Sequence, residues 1–160
     1  MYKAKNTPKR DDWQTPKYLF DFLARHTRGF VCDIAATPEN ALCERYLADS
    51  LNCNWPTDGW NFCNPPFSKK IQFVAKAIEQ QEIFGARTAM VLPSNNMDQK
   101  WIEDILDRGY NITIIIGRVR YNAPDGVKAS QPPFGTMIVL FEESHQGSKI
   151  YSIRNEDIKR

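Results

Sequence analysis

The sequence has no long apolar run, only two histidines and almost no excess of charge of either sign. A helix that crosses a membrane needs about 20 consecutive apolar residues, and no segment of this chain approaches that length. The N-terminus also lacks the apolar core of a secretory signal peptide. We therefore expect a soluble protein that works in the cytoplasm and has no membrane partner.

The sequence also lacks the residue patterns that build metal and phosphate sites. Its four cysteines include no Cys-x-x-Cys pair, and two histidines are few for a structural zinc site. No Gly-x-Gly triplet occurs among the 8 glycines, so a glycine-rich phosphate cradle is not expected. We predict no metal site, and we expect reduced thiols, as is typical of cytosolic proteins.

The residues that are present indicate one globular domain. A chain of 160 residues with 42% hydrophobic and 25% charged residues has the size and composition of an ordinary folded domain. Lys and Arg outnumber Asp and Glu by only 21 to 19, so net charge alone does not indicate nucleic acid binding. Basic residues do precede every acidic residue at the N-terminus. We predict a flexible basic segment over 1–12 and a single domain over 13–160.

Apolar periodicity predicts strands that alternate with helices. The predicted helices begin with Thr15 as a cap and Pro16 in the first turn, near Asn40, after Ser68 and after Asp98. The predicted strands cover 30–36, 60–63, 88–92, 112–116 and, as the final strand, 135–141. This order favours a compact α/β domain with a mostly parallel sheet flanked by helices. In such sheets, ligands bind at the carboxyl ends of the strands, where Asp33, Asn64 and Pro93 lie.

The tetrapeptide Asn64-Pro65-Pro66-Phe67 is the most informative motif. Two prolines restrict the backbone, remove two N–H donors and hold the preceding asparagine extended. The strand end therefore offers carbonyl and amide acceptors beside an aromatic ring, which suits a planar group with an exocyclic amine. Taken alone, the motif is also typical of an ordinary turn that ends a strand. Its position between an apolar strand and a helix favours a site.

Several segments resemble one family of enzymes. Asn64-Pro65-Pro66-Phe67 matches a signature of Asp, Asn or Ser, then Pro-Pro, then an aromatic residue, found in amino-group methyltransferases that use S-adenosylmethionine. Further segments are similar to the small phage-type DNA N-6-adenine methyltransferases, the Dam-like family. These segments are Asp12 to Pro16, Asp33 to Thr37, Asn40 to Cys43, Asp49 to Leu51 before Trp55, and Gly117 to Arg120. The resemblance covers about Asp12 to Phe141.

The resemblance implies a Rossmann-like, S-adenosylmethionine-dependent methyltransferase fold and methyl transfer to adenine N-6 in DNA, in the cytoplasm of a bacterial host cell. It implies that Asn64 and the Pro65 carbonyl hold the adenine amino group, beside Pro66, and that Phe67 stacks on the base after flipping. Flipping is expected because an amine inside a stacked duplex is out of reach of a methyl donor. A neutral asparagine is sufficient for this chemistry and no general base is required, because the proton can leave the amine after the attack.

The cofactor residues are likewise implied by the resemblance. We expect the S-adenosylmethionine site to include Thr15, Pro16, Asp33, Ile34, Ala35, Asp49, Ser50 and Leu51. Asp33 would lie near the methionine end, Asp49 would accept a hydrogen bond from the cofactor adenine, and Glu44 is a weaker candidate for its ribose. Three of these assignments have an ordinary structural alternative. Asp33 could be a helix cap, Asp49 could be a solvated loop carboxylate, and Thr15-Pro16 could simply begin a helix.

Several basic and amide side chains indicate a surface that could bind DNA. Arginine beside asparagine or glutamine is suited to phosphate and base-edge contacts, although a basic loop is often only solvated surface. We expect DNA contacts from Lys69, Lys70, Arg118, Arg120, Asn122 and Lys128, with the basic N-terminus as the alternative.

Two other functions stay open from the sequence. The same chemistry could act on another amine, such as cytosine N-4, an RNA adenine or a protein glutamine. The chain could also be a non-enzymatic DNA-binding protein on a decayed methyltransferase fold, although the intact motif argues against decay. The sequence favours no particular recognition sequence or oligomeric state.

Overall fold

The computed structural model describes residues 13–122, 132–144 and 146–160. Within these residues the chain forms one six-stranded sheet with the order β1-β2-β3-β5-β4-β6. The strands are β1 (Cys32–Asp33), β2 (Trp60–Cys63), β3 (Arg87–Pro93), β4 (Asn111–Ile116), β5 (Thr136–Phe141) and β6 (Ile150–Arg154).

The sheet is mostly parallel, as predicted. β1 pairs in parallel with β2, β2 with β3, and β4 with β6. β5 lies between β3 and β4 and is antiparallel to both. All strands other than β5 therefore share one direction, and the carboxyl ends of β1, β2 and β3 meet at the same edge of the sheet.

Four α-helices in the described residues cover the two faces of the sheet. They are α1 (Lys17–Thr27), α2 (Lys70–Phe84), α3 (Lys100–Asp107) and α4 (Asn155–Ile158). Buried residues of α2 and α3 join one hydrophobic core, and buried residues of α1 and α4 join the other. Together the sheet and the helices form the three-layer arrangement of a Rossmann-like domain, as the sequence predicted. None of the helices in these residues has both the length and the apolar character needed to cross a bilayer.

The predicted helix starts are wrong in detail. Pro16 is extended at the N-cap position of α1 rather than helical, and Thr15 provides no capping hydrogen bond. A short 3-10 helix over Phe67–Lys69 precedes α2, and Ser68 is not its cap. Gln99, not Asp98, is the N-cap of α3. In these described helices the N-cap residue itself makes no side-chain capping hydrogen bond, so the capping residues proposed from the sequence did not locate the helix starts.

The segment after β1 also differs from its prediction. The strand expected over 30–36 is only Cys32–Asp33, and no helix forms over 40–47. Instead, the Asp33 N–H donates to the Arg45 carbonyl at 2.9 Å, and the Leu47 N–H donates to the Asp33 carbonyl at 2.9 Å. Residues 45–47 therefore run beside β1 as an extra extended segment, because β1 would otherwise be an unpaired sheet edge.

One strand was not predicted. β6 follows the segment that was expected to end the sheet, and most of its side chains are exposed. An exposed strand carries no continuous apolar run, so the pattern that revealed β3, β4 and β5 was absent. In the sequence, the helical spacing of Ile71, Val74, Ala75 and Ile78 predicts that these residues of α2 face the core. Ile71 and Ala75 are instead exposed, whereas Phe73 and Ala77 are buried.

Candidate active site

A cleft of about 750 Å³ opens at the carboxyl ends of β1 and β2. Asp33 is the last residue of β1, Asn64 directly follows β2, and the register pairs Asp33 with Phe62. Both polar side chains line the cleft. The prediction that strand ends bring them together is therefore correct, and the parallel pairing of the two strands is the reason.

Many of the expected site residues line this cleft. Those from the sequence prediction are Thr15, Asp33, Ala35, Asp49, Ser50, Leu51, Asn64, Pro66, Lys69 and Asn122. The remaining described candidates do not line it: Pro16, Ile34, Pro65, Phe67, Lys70, Arg118 and Arg120. Lys128 lies outside the described residues. Glu44 borders a separate surface pocket of about 670 Å³ beside α1.

The cleft also includes residues that the sequence reasoning did not nominate. Among them are Trp13, Phe20, Asn40, Phe62 and Phe73. Trp13 and Asn40 lie in segments that carried the family resemblance, which is a signal that could have found them. The three phenylalanines come from α1, β2 and α2, and an apolar side chain in a helix or strand gives no signal that separates a cleft wall from the core.

Asn64 is held at the rim of the cleft by the N-terminal segment. Its Nδ2 donates a hydrogen bond to the Trp13 carbonyl oxygen at 3.2 Å. Pro65 is buried after it, and the Pro66 carbonyl accepts the Lys69 N–H at 2.9 Å, which begins the 3-10 turn. The strand end is thus rigid, and the side-chain oxygen Oδ1 of Asn64 is the acceptor that this rim presents.

Asp33 forms a buried part of the cleft and is only 3% exposed. Its Oδ2 accepts the Leu42 N–H at 3.0 Å, and its Oδ1 accepts the Ala35 N–H at 3.4 Å. Burial raises the pKa of this carboxyl, and the two backbone hydrogen bonds oppose that shift. Asp33 therefore shapes the loop over 35–42 while it lines the cleft, so its structural role and its expected binding role are compatible.

Thr15 has a buried hydroxyl with no hydrogen-bond partner among the described residues. The residue is 3% exposed, its Oγ1 is enclosed, and it lines the cleft. A buried hydroxyl without a partner costs free energy. Such an atom in the wall of a cleft suggests a ligand that forms the missing hydrogen bond with it.

Asp49 and Leu51 lie at another wall of the cleft, in and before a 3-10 helix over Ser50–Asn52. The Asp49 carboxylate is exposed and accepts the Asn52 side-chain amide at 2.8 Å. Trp55 fixes this wall from behind, because its indole N–H donates to the Ser50 carbonyl at 2.8 Å. The wall offers an anionic acceptor beside an apolar side chain.

Phe67 packs beside the cleft. Its ring meets Phe134 edge to face, with the ring centroids 4.4 Å apart. Phe134 in turn contacts Tyr121, whose hydroxyl pairs with Thr136 at 2.9 Å. An aromatic chain anchored on β5 therefore supports Phe67, which is half-buried. Such support keeps a ring in one orientation.

The segment that follows β4 alternates between exposed and buried residues. Val119 and Tyr121 are each 2% exposed, whereas Arg118, Arg120 and Asn122 are exposed. In an extended chain this alternation turns the three polar side chains to one side. The Arg118 carbonyl accepts the Asn155 side-chain amide at 2.9 Å, so α4 anchors the segment.

The α/β fold and the cleft, with an Asn-Pro-Pro-Phe motif at a parallel strand end, define a protein of the Rossmann-like methyltransferase class. A family model described as DNA N-6-adenine-methyltransferase (Dam) matches residues 3–160. Because this match covers nearly the whole sequence, the chain belongs to that family, and the resemblance drawn from its motifs is confirmed.

Two curated relatives from phages are both named DNA N-6-adenine-methyltransferase. The chain is 37% identical to the protein of Escherichia phage T1 over 100 residues, which is 59% of this chain and 42% of the relative. It is 27% identical to the protein of Haemophilus phage HP1 over 152 residues, which is 89% of this chain and 86% of the relative. The matched region thus spans less than half of the first relative and most of the second.

Proposed function

We propose that the protein transfers a methyl group from S-adenosylmethionine to the N-6 amino group of adenine in DNA. The observation that carries the proposal is the placement of Asn64 in the same cleft as Thr15, Asp33 and Asp49. One cleft then contains an acceptor for the target amine and a set of polar groups for the methyl donor. Family membership and the names of the phage relatives support the choice of adenine in DNA.

The chemistry of the cleft fits the proposed methyl donor. S-adenosylmethionine supplies, when bound, an electrophilic methyl group on a sulfonium centre. The unpaired Thr15 hydroxyl and the buried Asp33 carboxylate would bind its polar amino-acid end. The Asp49 carboxylate would accept the amino group of its adenine, with Leu51 packed against the ring. Pro16, Ile34, Ala35 and Ser50 complete the proposed site as neighbours of these groups.

Asn64 is the proposed catalytic residue. Its Oδ1 and the Pro65 carbonyl would accept the two hydrogens of the target amine, which favours pyramidal geometry and frees the nitrogen lone pair. Preorganised dipoles of this kind stabilise positive charge that develops on the nitrogen. An amide oxygen suffices for this role, since the proton can leave for water after the attack. Pro66 holds the turn, and Phe67 would stack on the flipped base.

The proposed DNA surface reaches the cleft at Lys69 and Asn122, which both line it. Lys70 is the next residue in the chain after Lys69. The side chains of Arg118, Arg120 and Asn122 lie on one side of the segment that follows β4. Lys128, which lies outside the described residues, belongs to the same proposed surface, and the basic residues of 1–12 are the alternative DNA surface. Residues 13–160 are proposed as one methyltransferase domain. The relatives come from phages, so we place the activity in the cytoplasm of a bacterial host cell.

The test is methyl transfer from labelled S-adenosylmethionine to defined DNA duplexes, followed by nucleoside analysis. We expect label in N-6-methyladenine, and we expect Asn64→Ala to lower the rate at least about 100-fold, the effect of losing one such positioned hydrogen bond. Asn111→Ala is the matched control, because it also removes one side-chain hydrogen bond but lies at the opposite end of the strands.

The alternatives give distinct results in the same experiment. Label in N-4-methylcytosine would replace the proposed substrate while keeping the chemistry, and so would transfer to an RNA or to a protein glutamine offered in a parallel reaction in place of the duplex. DNA binding without any transfer would identify a decayed enzyme. Normal turnover by Asn64→Ala would remove Asn64 from the mechanism.

A further inference from the structure

The peptide group between Trp13 and Gln14 lies between two other parts of the chain. Its carbonyl oxygen accepts the Asn64 Nδ2–H at 3.2 Å. Its N–H, which belongs to Gln14, donates to the Asn122 carbonyl at 3.1 Å. The Asn122 N–H returns a hydrogen bond to the Gln14 carbonyl at 3.0 Å, so an isolated antiparallel bridge closes this contact.

This arrangement fixes the orientation of the peptide plane. All peptide bonds in the described residues are trans, and in a trans peptide the C=O and the N–H point in opposite directions. The bridge to Asn122 holds the N–H side, so the carbonyl of Trp13 must point toward Asn64. Without the bridge the peptide plane could rotate, whereas with it the Trp13 carbonyl cannot turn away unless the bridge breaks.

The clamped carbonyl in turn determines how the Asn64 amide is oriented. A carbonyl oxygen can only accept, so the NH₂ of the amide must face it, and the amide oxygen must face elsewhere. A flipped amide would place two acceptor oxygens together. Asn64 lines the cleft, so the orientation that satisfies Trp13 leaves Oδ1 as the group available to a ligand there.

We propose that the Trp13–Gln14 peptide, clamped by the main chain of Asn122, is the positioning group that keeps Asn64 Oδ1 available to the target amine. The inference rests on the proposed methyl transfer to an amino group. It follows from this inference that position 64 of this chain requires asparagine, although the family motif also admits aspartate there. An ionised aspartate would have no proton to donate to the clamped carbonyl. The side chains of Gln14 and Asn122 have no part in this role.

The first test measures protonation at position 64 in the free protein, without DNA or cofactor. In Asn64→Asp the introduced carboxyl faces the Trp13 carbonyl, which favours its protonated form. We expect carboxyl ¹³C NMR to give a pKa at least about one unit above the ordinary 3.9 of aspartate. A pKa at or below the ordinary value would contradict a carbonyl held in this position.

Other charged groups face the same cleft and also act on the introduced carboxyl. Among the described residues they are Asp21 and Lys17 of α1, Asp33 of β1, Asp49 and Lys69. Their effect, and that of burial, is removed by comparing two double variants that retain all of them. These add either Gln14→Pro or Gln14→Ala to the Asn64→Asp change.

Gln14→Pro removes the N–H that anchors the peptide to Asn122, whereas Gln14→Ala removes only the side chain. We expect the pKa of the introduced carboxyl to be lower with proline than with alanine by at least about half a unit, since a freed carbonyl can turn away. Equal pKa values in the two folded double variants would overturn the proposed clamp.

A second measurement does not depend on the proline variant. Protonation restores the missing donor in Asn64→Asp, so its methyl-transfer rate should rise about tenfold for each pH unit lowered, as long as the carboxyl is mostly ionised. The rate of the wild-type protein should not rise in this way. A parallel pH profile for both proteins would overturn the proposal. Absence of transfer by the wild type would instead refute the proposed function and leave the NMR comparison as an independent test of the clamp.

Discussion

Replacement of Thr15 by valine should change stability and cofactor affinity in opposite directions. The hydroxyl of Thr15 is buried without a partner among the described residues, in the wall of the cleft. Valine has nearly the same shape and no polar atom. In the free protein the change removes an unsatisfied group, and in the complex it removes a hydrogen bond that we assign to S-adenosylmethionine.

The expected changes in stability and in cofactor affinity follow from the state of the hydroxyl in the free protein and in the complex. An unsatisfied buried hydroxyl costs about 1–3 kcal/mol in protein mutational data. Thr15→Val should recover up to that amount in the free protein, and each kcal/mol raises Tm by about 2–4 °C for a chain of this size. A lost ligand hydrogen bond costs about 0.5–1.5 kcal/mol, which weakens the Kd about 2- to 12-fold.

Thermal unfolding and titration calorimetry with S-adenosylmethionine measure the two effects separately. Thr88→Val is the matched control, because Thr88 on β3 also has a buried hydroxyl with no partner in the part of the chain that the structure describes, but does not line the cleft. We expect it to stabilise the free protein and leave the Kd unchanged. Unchanged affinity in Thr15→Val, or equal weakening in both variants, would refute the role assigned to the Thr15 hydroxyl.

Three further changes test other parts of the site. Phe67→Ala should weaken binding of DNA with an extrahelical adenine by about 1–3 kcal/mol, the contribution of one base–aromatic stack, while calorimetry shows unchanged cofactor affinity. Arg118→Ala should lower the slope of log K against log salt by about one unit if it contacts a phosphate, as binding assays across salt concentrations would show. An unchanged slope and unchanged sequence preference would make this arginine ordinary surface. Asp33→Asn should gain stability relative to the wild type as pH rises, because burial raises the pKa of Asp33 in the folded protein above its ordinary value of 3.8. The wild type loses the favourable protonated form as pH rises through that raised pKa, so denaturant unfolding at pH 3 to 7 should show a difference that grows with pH. A difference that is constant with pH would contradict the raised pKa.

The central strands could be predicted because they are buried on both faces. β3, β4 and β5 are mostly apolar runs, and β4 is rich in β-branched residues; such runs are typical of strands covered by helices on both sides. The site edge could be predicted because the polar residues Asp33 and Asn64 stand where apolar strands end. Alternation with helices also predicted the parallel pairing that brings these two residues together.

The elements that were missed are short, exposed or dependent on tertiary partners. Residues 45–47 lie beside β1 because they hydrogen-bond to it, and no local propensity reveals such a partner. β6 is exposed on most positions and therefore has no apolar run. The antiparallel direction of β5 depends on the connection from β4, and strand patterns are the same for both directions.

The clamp at Asn64 could not be predicted for a different reason. Sequence reasoning assigns functions to side chains, and it placed Asn122 on the DNA surface because amide side chains read bases and phosphates. In the structure, Asn122 and Gln14 are joined through backbone groups that every residue except proline carries. Substitutions that keep the N–H should therefore be tolerated at Gln14, whereas proline should not. This contrast separates a backbone role from a side-chain role more sharply than alanine substitution does.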